Sequence, residues 1–247
     1  MKQTRLLMGM PITVEVLDAH VTEADIAAVF AYFEYVDATF STYKSESEIT
    51  RLNMGLLTLE QASEDMRTIF ALAEQTKQAT DGYFDIWRDG FCDPSGIVKG
   101  WAIHNAALQL NRKGFQNLYV DAGGDIQPFG SNADGEAWRV GIRNPFNMQE
   151  IVKVVAVTDQ GVATSGNYVR GSHIYNPRGA ALSDKIVSLT VIGPNVYDAD
   201  RYATAAFAMG QAGITFIEKL DGFEGYMIDS HGQATLTSGF EGYVCHV

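Results

Sequence analysis

The chain has 247 residues, of which 30 are acidic and 18 basic, so its formal net charge is −12. This balance argues against a nucleic-acid-binding protein, which needs a basic surface. Apolar residues make up 46% and charged residues 19% of the chain, a globular composition that excludes disorder and coiled coil. Two cysteines, Cys92 and Cys245, cannot build a disulfide scaffold.

The first half of the chain predicts one strand followed by helices. Apolar residues at Ile12, Val14 and Val16 alternate with polar ones, which indicates a strand, and Thr22 is a predicted N-cap for the first helix. Three more predicted helices are Glu46–Asn53 behind a capping box at Ser45 to Glu48, Glu64–Ala79 ended by Asp81-Gly82, and Gly100–Lys113 ended by Gly114.

The second half is dominated by predicted strands. They are Asn117–Asp121, Ala137–Ile142, Ile151–Thr158, Ile186–Ile192, Gly225–Asp229 and Gly242–Val247, with helices at Asp198–Met209 and Gln211–Leu220. Because strands and helices do not alternate regularly, we expect an α+β fold with mixed or antiparallel sheets and flanking helices. We expect one compact domain over residues 1–247, with or without two lobes that hold the site between them.

No apolar run reaches the roughly 18–20 residues of a membrane span, and the N-terminus lacks the signal-peptide apolar region of about 7–15 residues. We therefore expect no transmembrane segment. The chain as given is expected in the cytoplasm, or in the periplasm if a leader or lipoprotein signal was removed. The sequence does not indicate an oligomeric state.

Common catalytic signatures are missing from the sequence, including the P-loop, the G-x-G-x-x-G turn, H-E-x-x-H and G-x-S-x-G. The first candidate segment is turn-rich and runs from Asp93 to Gly100. Free amides at a helix start attract phosphate, Lys99 adds a cation, and Gly96 lets a ligand or ion approach the backbone. The alternative is a loop that only starts a helix, with Lys99 in solvent.

A second candidate lies on the predicted late helix, where Asp200 and Thr204 are four residues apart and share a face. A carboxylate and a hydroxyl are hard oxygen ligands that suit Mg²⁺ or Ca²⁺ better than zinc. The alternative is that Asp198 and Asp200 only cap the helix.

Two further segments are weaker signals. Residues Ala163–Tyr168 followed by His173 could form a polar pocket wall, or a loop between two strands. The run Ala122-Gly123-Gly124-Asp125 favours a simple tight turn over a ligand contact.

Taken in order, these segments resemble the ApbE-type FAD:protein FMN transferases. Further matching segments are Met8-Gly9, Phe40–Lys44 with Ser47-Glu48 and Asn53, Asp81–Asp85, Trp138 with Gly141-Ile142, His173-Ile174 and Met209-Gly210. The resemblance spans almost the whole chain. No single motif in this set is unique, but the ordered set is specific.

The resemblance implies an enzyme that binds FAD and Mg²⁺, moves FMN to a threonine hydroxyl of an acceptor flavoprotein, and releases AMP. It implies that His173 helps to activate the acceptor hydroxyl, and that Mg²⁺ is held by Asp200, the Thr204 hydroxyl and the Gly96 carbonyl. The FAD pocket is implied to contain Met8, Tyr43, Tyr83, Phe84, Asp85, Asp93, Lys99 and Tyr175.

One segment departs from the family pattern. The family usually reads His-Ile-Ile-Asp-Pro-x-Thr-Gly where this chain reads His-Ile-Tyr-Asn-Pro-Arg-Gly-Ala at residues 173–180. Asn176 replaces the aspartate, and the threonine is absent. This departure bears on FMN transfer and not on FAD binding. Two alternatives stay open: a member that hydrolyses FAD to FMN and AMP, and a protein that binds or stores FAD without turnover.

Overall fold

The structure is a computed structural model that describes residues 1–166, 175–179 and 185–245. The helices are α1 (Glu23–Phe40), α2 (Glu48–Asn53), α3 (Glu64–Ala79), α4 (Ser95–Arg112), α5 (Val196–Ala208) and α6 (Ala212–Glu218), with short 3-10 helices at Leu59–Gln61 and Phe240–Tyr243. The strands are β1 (Lys2–Leu7), β2 (Met10–Val16), β3 (Trp87–Arg88), β4 (Phe91–Cys92), β5 (Leu118–Ala122), β6 (Asp125–Phe129), β7 (Trp138–Asn144), β8 (Asn147–Val157), β9 (Gly161–Gly166), β10 (Ile186–Gly193), β11 (Glu224–Asp229) and β12 (Ala234–Leu236).

Eight of these strands form one continuous sheet in the order β1-β2-β5-β6-β9-β10-β11-β12. Every neighbouring pair in it is antiparallel. The turn between β5 and β6 uses Gly123 and Gly124, whose φ angles are +65° and +101°, a region that glycine enters without a steric penalty. The predicted Gly-Gly turn and the predicted α+β class are both confirmed.

The two faces of the sheet are covered by different layers. Two consecutive residues of β10 show this. Val191 belongs to the large hydrophobic cluster that includes residues of α1, α4 and α5, whereas Ile192 belongs to a smaller cluster with residues of β7 and β8. Strand side chains alternate between faces. The helices therefore pack on one face and the β7–β8 hairpin on the other.

Helix α4 lies at the centre of the helical layer, where it contacts α1, α3, α5, β5 and β6. It begins at Ser95 and not at the predicted Gly100. Pro94 is the N-cap residue, and the Ser95 amide donates to Asp93 Oδ1 at 3.0 Å. The proline and the short aspartate turn therefore start the helix one turn earlier, and Gly96 and Lys99 belong to its first turns.

Several other sequence-based boundaries are corrected. Helix α2 is capped by Ser47, whose Oγ accepts from the Thr50 amide. Helix α5 is capped by Asn195, whose Oδ1 accepts from the Asp198 amide at 2.9 Å. The predicted last strand, Gly242–Val247, is wrong at Gly242 and Tyr243, which belong to the 3-10 helix Phe240–Tyr243. Val244 forms only an isolated antiparallel bridge with Val155. Residues 163–166, for which a loop was one reading, lie in β9.

Candidate active site

The first turns of α4 meet α5 at a glycine. The Gly100 amide donates to Asp200 Oδ2 at 2.8 Å, and a Cβ atom built on Gly100 would lie 2.7 Å from Asp200 Cβ. Real Cβ atoms essentially never come that close. The absence of a side chain at residue 100 therefore lets the Asp200 carboxylate reach the backbone of α4.

A buried charge cluster surrounds this contact. Lys99 forms an ion pair with Asp125 Oδ2, and its ammonium lies 3.4 Å from Asp200 Oδ1. Asp125 Oδ1 accepts from the Thr164 amide at 3.0 Å. Both carboxylates are almost completely buried, at 2% and 3% exposed, which is rare for aspartate unless it is paired. The Lys99 ammonium is thus held between two acids, and the alternative of a solvated Lys99 is wrong.

Asp125 is a member of this cluster to which the sequence analysis assigned no role in the site. The Gly-Gly turn signalled only a change of chain direction, whereas the partners of Asp125 lie on α4 and β9. Burial raises the pKa of the Asp200 carboxyl to about 7, and the neighbouring Lys99 opposes this rise. The site therefore holds one cation close to two carboxyl groups in a poorly solvated place.

Gly96 lies beside both Thr204 and Phe84. A Cβ on Gly96 would be 3.5 Å from Thr204 Cγ2 and 3.3 Å from Phe84 Cε2. The Thr204 hydroxyl is 3.4 Å from Ser165 Oγ on β9. The three predicted metal ligands, Gly96, Asp200 and Thr204, thus lie on the facing parts of α4 and α5.

The donor chemistry of this place fits Mg²⁺. Within the described residues, no group of three or more His, Cys, Asp or Glu side chains could hold a metal ion, so a cation here would need backbone and hydroxyl oxygens. In a regular helix the Gly100 amide donates to the Gly96 carbonyl, but here it also has the Asp200 carboxylate as acceptor. The carbonyl, the carboxylate and the Thr204 hydroxyl form the all-oxygen set that Mg²⁺ or Ca²⁺ prefers.

A cavity of about 360 Å³ adjoins the start of α4. Four of the predicted FAD-pocket residues line it, namely Met8, Tyr43, Asp93 and Lys99. Met8 has a φ of +53° in the turn between β1 and β2, and the Tyr43 side chain is 98% exposed. The cavity therefore joins an open aromatic rim to the buried charge cluster.

The other predicted FAD residues do not line this cavity. They are Tyr83, Phe84, Asp85 and Tyr175, all of them among the residues that the structure describes. Phe84 is buried near Gly96, as described above, and Asp85 Oδ2 pairs with Lys77 Nζ at 2.7 Å. That ion pair directs the Asp85 carboxylate toward α3.

Tyr175 ties its own segment to residues 85–87. Its hydroxyl lies 2.7 Å from the Asp85 carbonyl oxygen and 2.9 Å from that of Trp87, and donates to them. The guanidinium of Arg178 lies 5.0 Å from the centre of the Tyr83 ring. His173, the predicted catalytic residue, lies outside the described residues.

In the described parts of the chain, no helix combines the length and apolarity needed to cross a lipid bilayer.

Comparison with known proteins identifies relatives of this chain. The model of the ApbE family matches residues 8–89 and 88–227. An FAD:protein FMN transferase of Vibrio cholerae is 34% identical over 131 residues, which are 49% of this chain and 39% of the relative. A protein of the same name from Klebsiella pneumoniae is 30% identical over 159 residues, 60% of this chain and 45% of the relative. The chain thus spans less than half the length of these curated relatives.

A solved structure, the flavin transferase ApbE from Vibrio cholerae, has the same fold. It superposes with a TM-score of 0.85 over 98% of each chain, at 22% sequence identity. The family match covers most of the chain, including the first turns of α4 and the α5 residues that meet them. We conclude that this chain belongs to the ApbE family.

Proposed function

We propose that the chain is a Mg²⁺-dependent FAD:protein FMN transferase. It moves the FMN half of FAD to a threonine hydroxyl of an acceptor flavoprotein and releases AMP. The names of the curated relatives support this activity. We propose that residues 1–247 act as a single flavin transferase domain, which the family match and the continuous sheet support.

The observation that carries the proposal is the convergence of Lys99, Asp200, Thr204 and Gly96 beside the cavity of about 360 Å³. A diphosphate would be repelled by a chain of net charge −12 unless positive charge is placed next to it. The amides at the start of α4 favour an anion, and Lys99 lines the same cavity.

The flavin end of FAD needs flat apolar surfaces. Tyr43 and Met8 line the outer part of the cavity, and Phe84 is packed against the glycine at the start of α4. We assign Tyr83, Asp85, Asp93 and Tyr175 to the same binding region, as the family resemblance implies. Asp93 would also keep the helix start in place, because its carboxylate accepts from the Ser95 amide.

Asp200, Thr204 and the Gly96 carbonyl would hold Mg²⁺. When bound, the ion supplies positive charge to the diphosphate oxygens and stabilises the charge that develops during phosphoryl transfer. Asp125 keeps Lys99 next to this place through their ion pair. The protein thereby holds the Lys99 ammonium beside the diphosphate position before FAD arrives.

In the transfer step, the acceptor threonine oxygen bonds to the phosphorus of the FMN half. The bond between that phosphorus and the bridging oxygen breaks, and AMP leaves with the oxygen. The hydroxyl proton passes to His173, acting as general base. Such catalysis contributes roughly 10²–10⁴-fold, and correct positioning of the hydroxyl adds to it.

The test uses purified protein, FAD, Mg²⁺ and a panel of apo flavoproteins that carry FMN on threonine when mature. Intact-mass spectrometry should show an acceptor heavier by one FMN group, with AMP formed in equal amount. Asp200→Asn should abolish transfer, while a surface control, Glu136→Gln, should leave it unchanged. If FAD binds but no acceptor is modified, the transferase proposal is wrong.

The altered segment at residues 173–180 favours one second candidate, a family member that hydrolyses FAD. Asn176 replaces the usual aspartate there, and the usual threonine is absent. Release of FMN and AMP from FAD in the absence of any acceptor, at a rate that acceptors do not change, would identify this activity. Binding of FAD without either product would identify a storage protein.

A further inference from the structure

Helices α4 and α5 face each other through residues that recur at intervals of four. Gly96 lies beside Thr204, and the Gly100 amide donates to Asp200, so the two helices run in opposite directions. Residues four apart share one face of a helix, which makes these two pairs successive contacts along one interface. Because the proposed Mg²⁺ ligands come from both helices, their spacing depends on the register of α4 against α5.

The next pair in this register is bridged by a buried glutamine. The pair consists of His104 on α4 and Val196, the first residue of α5, each four residues from the contact between Gly100 and Asp200. Gln127 on β6 is fully buried. Its Oε1 accepts from the Val196 amide at 2.8 Å and lies 3.4 Å from His104 Nδ1. One oxygen atom thus contacts both helices, about 6 Å along the helix axis from the Asp200 contact.

The other end of the Gln127 amide group is tied to the sheet. Nε2 donates to the Asp159 carbonyl at 2.8 Å and to the Pro128 carbonyl at 3.1 Å. Asp159 lies in the turn between β8 and β9, and Pro128 follows Gln127 in β6. These two bonds fix the direction of Oε1. The sheet therefore determines where the oxygen that receives the α5 amide stands.

The first residue of α5 is enclosed by two glycines. A Cβ atom built on Gly161 would overlap the Val196 nitrogen, and a Cβ atom built on Gly100 would lie 2.9 Å from the Val196 carbonyl oxygen. The start of α5 is thus in close backbone contact with the start of β9 on one side and with α4 on the other. Contacts this close persist only while α5 keeps its present position along α4.

We propose that Gln127 is a positioning residue that sets the register of α5 against α4 and thereby the spacing of the Mg²⁺ ligands. The inference rests on the proposed function, because it concerns the metal site assigned there. Without Oε1 the Val196 amide is a buried donor that has lost its acceptor, a costly state that a movement of α5 relieves. Mg²⁺ demands near-ideal octahedral geometry, and a displacement of roughly 0.5 Å is enough to impair such a site.

The experiment measures Mn²⁺ affinity in the presence of saturating FAD. Mn²⁺ suits the same oxygen ligands as Mg²⁺, and the free ion is counted by its EPR signal. Gln127→Met keeps an unbranched side chain but removes the acceptor. The matched control is Thr237→Val, which removes a buried hydroxyl that accepts from the Gly225 amide at 2.8 Å. The Mn²⁺ dissociation constant should rise about tenfold or more in Gln127→Met and stay within about twofold of wild type in the control.

Two further readouts separate positioning from a general loss of stability. Both variants should melt below wild type, because each leaves a buried amide without its acceptor. The FAD dissociation constant in EDTA should stay within about twofold of wild type, because the residues that line the cavity of about 360 Å³ lie on α4 or before it in the chain.

Two conservative variants test the role of the oxygen itself. Gln127→Glu keeps an oxygen acceptor for the Val196 amide and should recover most of the Mn²⁺ affinity that Gln127→Met loses. Gln127→Asn, whose oxygen is one methylene short of that amide, should weaken Mn²⁺ binding and makes the same test if Gln127→Met does not fold.

Two results would overturn the positioning role. One is a Mn²⁺ dissociation constant in Gln127→Met, or in Gln127→Asn in its place, equal to that of Thr237→Val. The other is an equal loss of Mn²⁺ affinity in Gln127→Glu and Gln127→Met, because the oxygen acceptor would then not place the ligands. Failure of the proposed metal site looks different: wild type itself binds no Mn²⁺ beside FAD, or Asp200→Asn binds it as tightly as wild type.

Discussion

The buried ion pair between Lys99 and Asp125 offers the sharpest test of the site geometry. The two side chains are 17% and 3% exposed. Asp125→Asn keeps an oxygen that can accept from the Thr164 amide, but it removes the charge opposite Lys99. Removing one partner of a buried pair costs about 3–5 kcal/mol. Because Asp200 Oδ1 remains 3.4 Å from the ammonium, we expect the lower end, about 3 kcal/mol.

For a chain of this size, each kcal/mol shifts the melting temperature by about 2–4 °C, so Asp125→Asn should melt about 6–12 °C below wild type. The assay is calorimetric melting with EDTA and without FAD, since bound ligands would add stability of their own. The matched control is Glu136→Gln, which breaks a 3.0 Å pair with Arg139 whose side chains are 64% and 58% exposed. Exposed pairs contribute about 0–1 kcal/mol. An Asp125→Asn melting point within about 2 °C of this control would refute the inferred buried pair.

Gly100→Ala should lower the free energy of unfolding by about 1–3 kcal/mol in urea, because the added methyl overlaps α5; Gly242→Ala, where a Cβ meets nothing within 4 Å, is the control and should not share the loss. The folded-state pKa of Asp200 is about 7 against an ordinary 3.8, so the unfolded chain releases this proton first as the pH rises. Metal-free wild type should therefore lose stability relative to Asp200→Asn between about pH 4 and 7, and a constant difference in melting temperature would contradict this. Burial raises the pKa of the Cys92 thiol to about 12, so iodoacetamide at pH 8 should leave it unmodified in the native protein, as peptide mass spectrometry would show; labelling at the rate of the urea-unfolded chain would contradict this. Tyr175→Phe should cost about 0.5–1.5 kcal/mol in urea unfolding, and an unchanged midpoint would mean that the hydroxyl bonds do not stabilise the fold.

Local signals were sufficient for the elements that carry their own start and stop residues. Helix α3 runs from Glu64 to Ala79 as the sequence predicts, because Ser63 caps its start and the following Asp81-Gly82 turn takes positive φ angles of +52° and +76°. The late helix was predicted within two residues at its start. Capping and turn chemistry are local, so they are visible in a single sequence.

Strand β9 was missed for a physical reason. It pairs with β10 along its length and with β6 at Val162, and five of its six residues are buried. A strand covered on both faces does not alternate between apolar and polar residues. Its hydroxyl side chains have partners on other elements, since the Thr164 hydroxyl lies 2.8 Å from the Thr190 hydroxyl on β10 and the Ser165 hydroxyl lies 3.4 Å from the Thr204 hydroxyl on α5.

Sequence spacing predicted the candidate-site residues that lie together on one helix. It missed the contacts that form only when separate elements pack against each other. The spacing of Asp200 and Thr204 placed both oxygens on one face of a helix. No spacing could connect Asp125 to Lys99 or Thr164, because sheet pairing and the position of α4 bring them together. Likewise, the Asp85 carboxylate turns toward Lys77, a partner that only the packing of α3 supplies.

The double covering of β10 has a consequence for how the molecule unfolds. Val191 and Ile192 are neighbours in the chain, yet they are buried in different hydrophobic clusters. Detaching either layer would leave half of this strand facing water, so neither layer has an independent stable state. Heat denaturation should accordingly be cooperative, with calorimetric and van't Hoff enthalpies that agree.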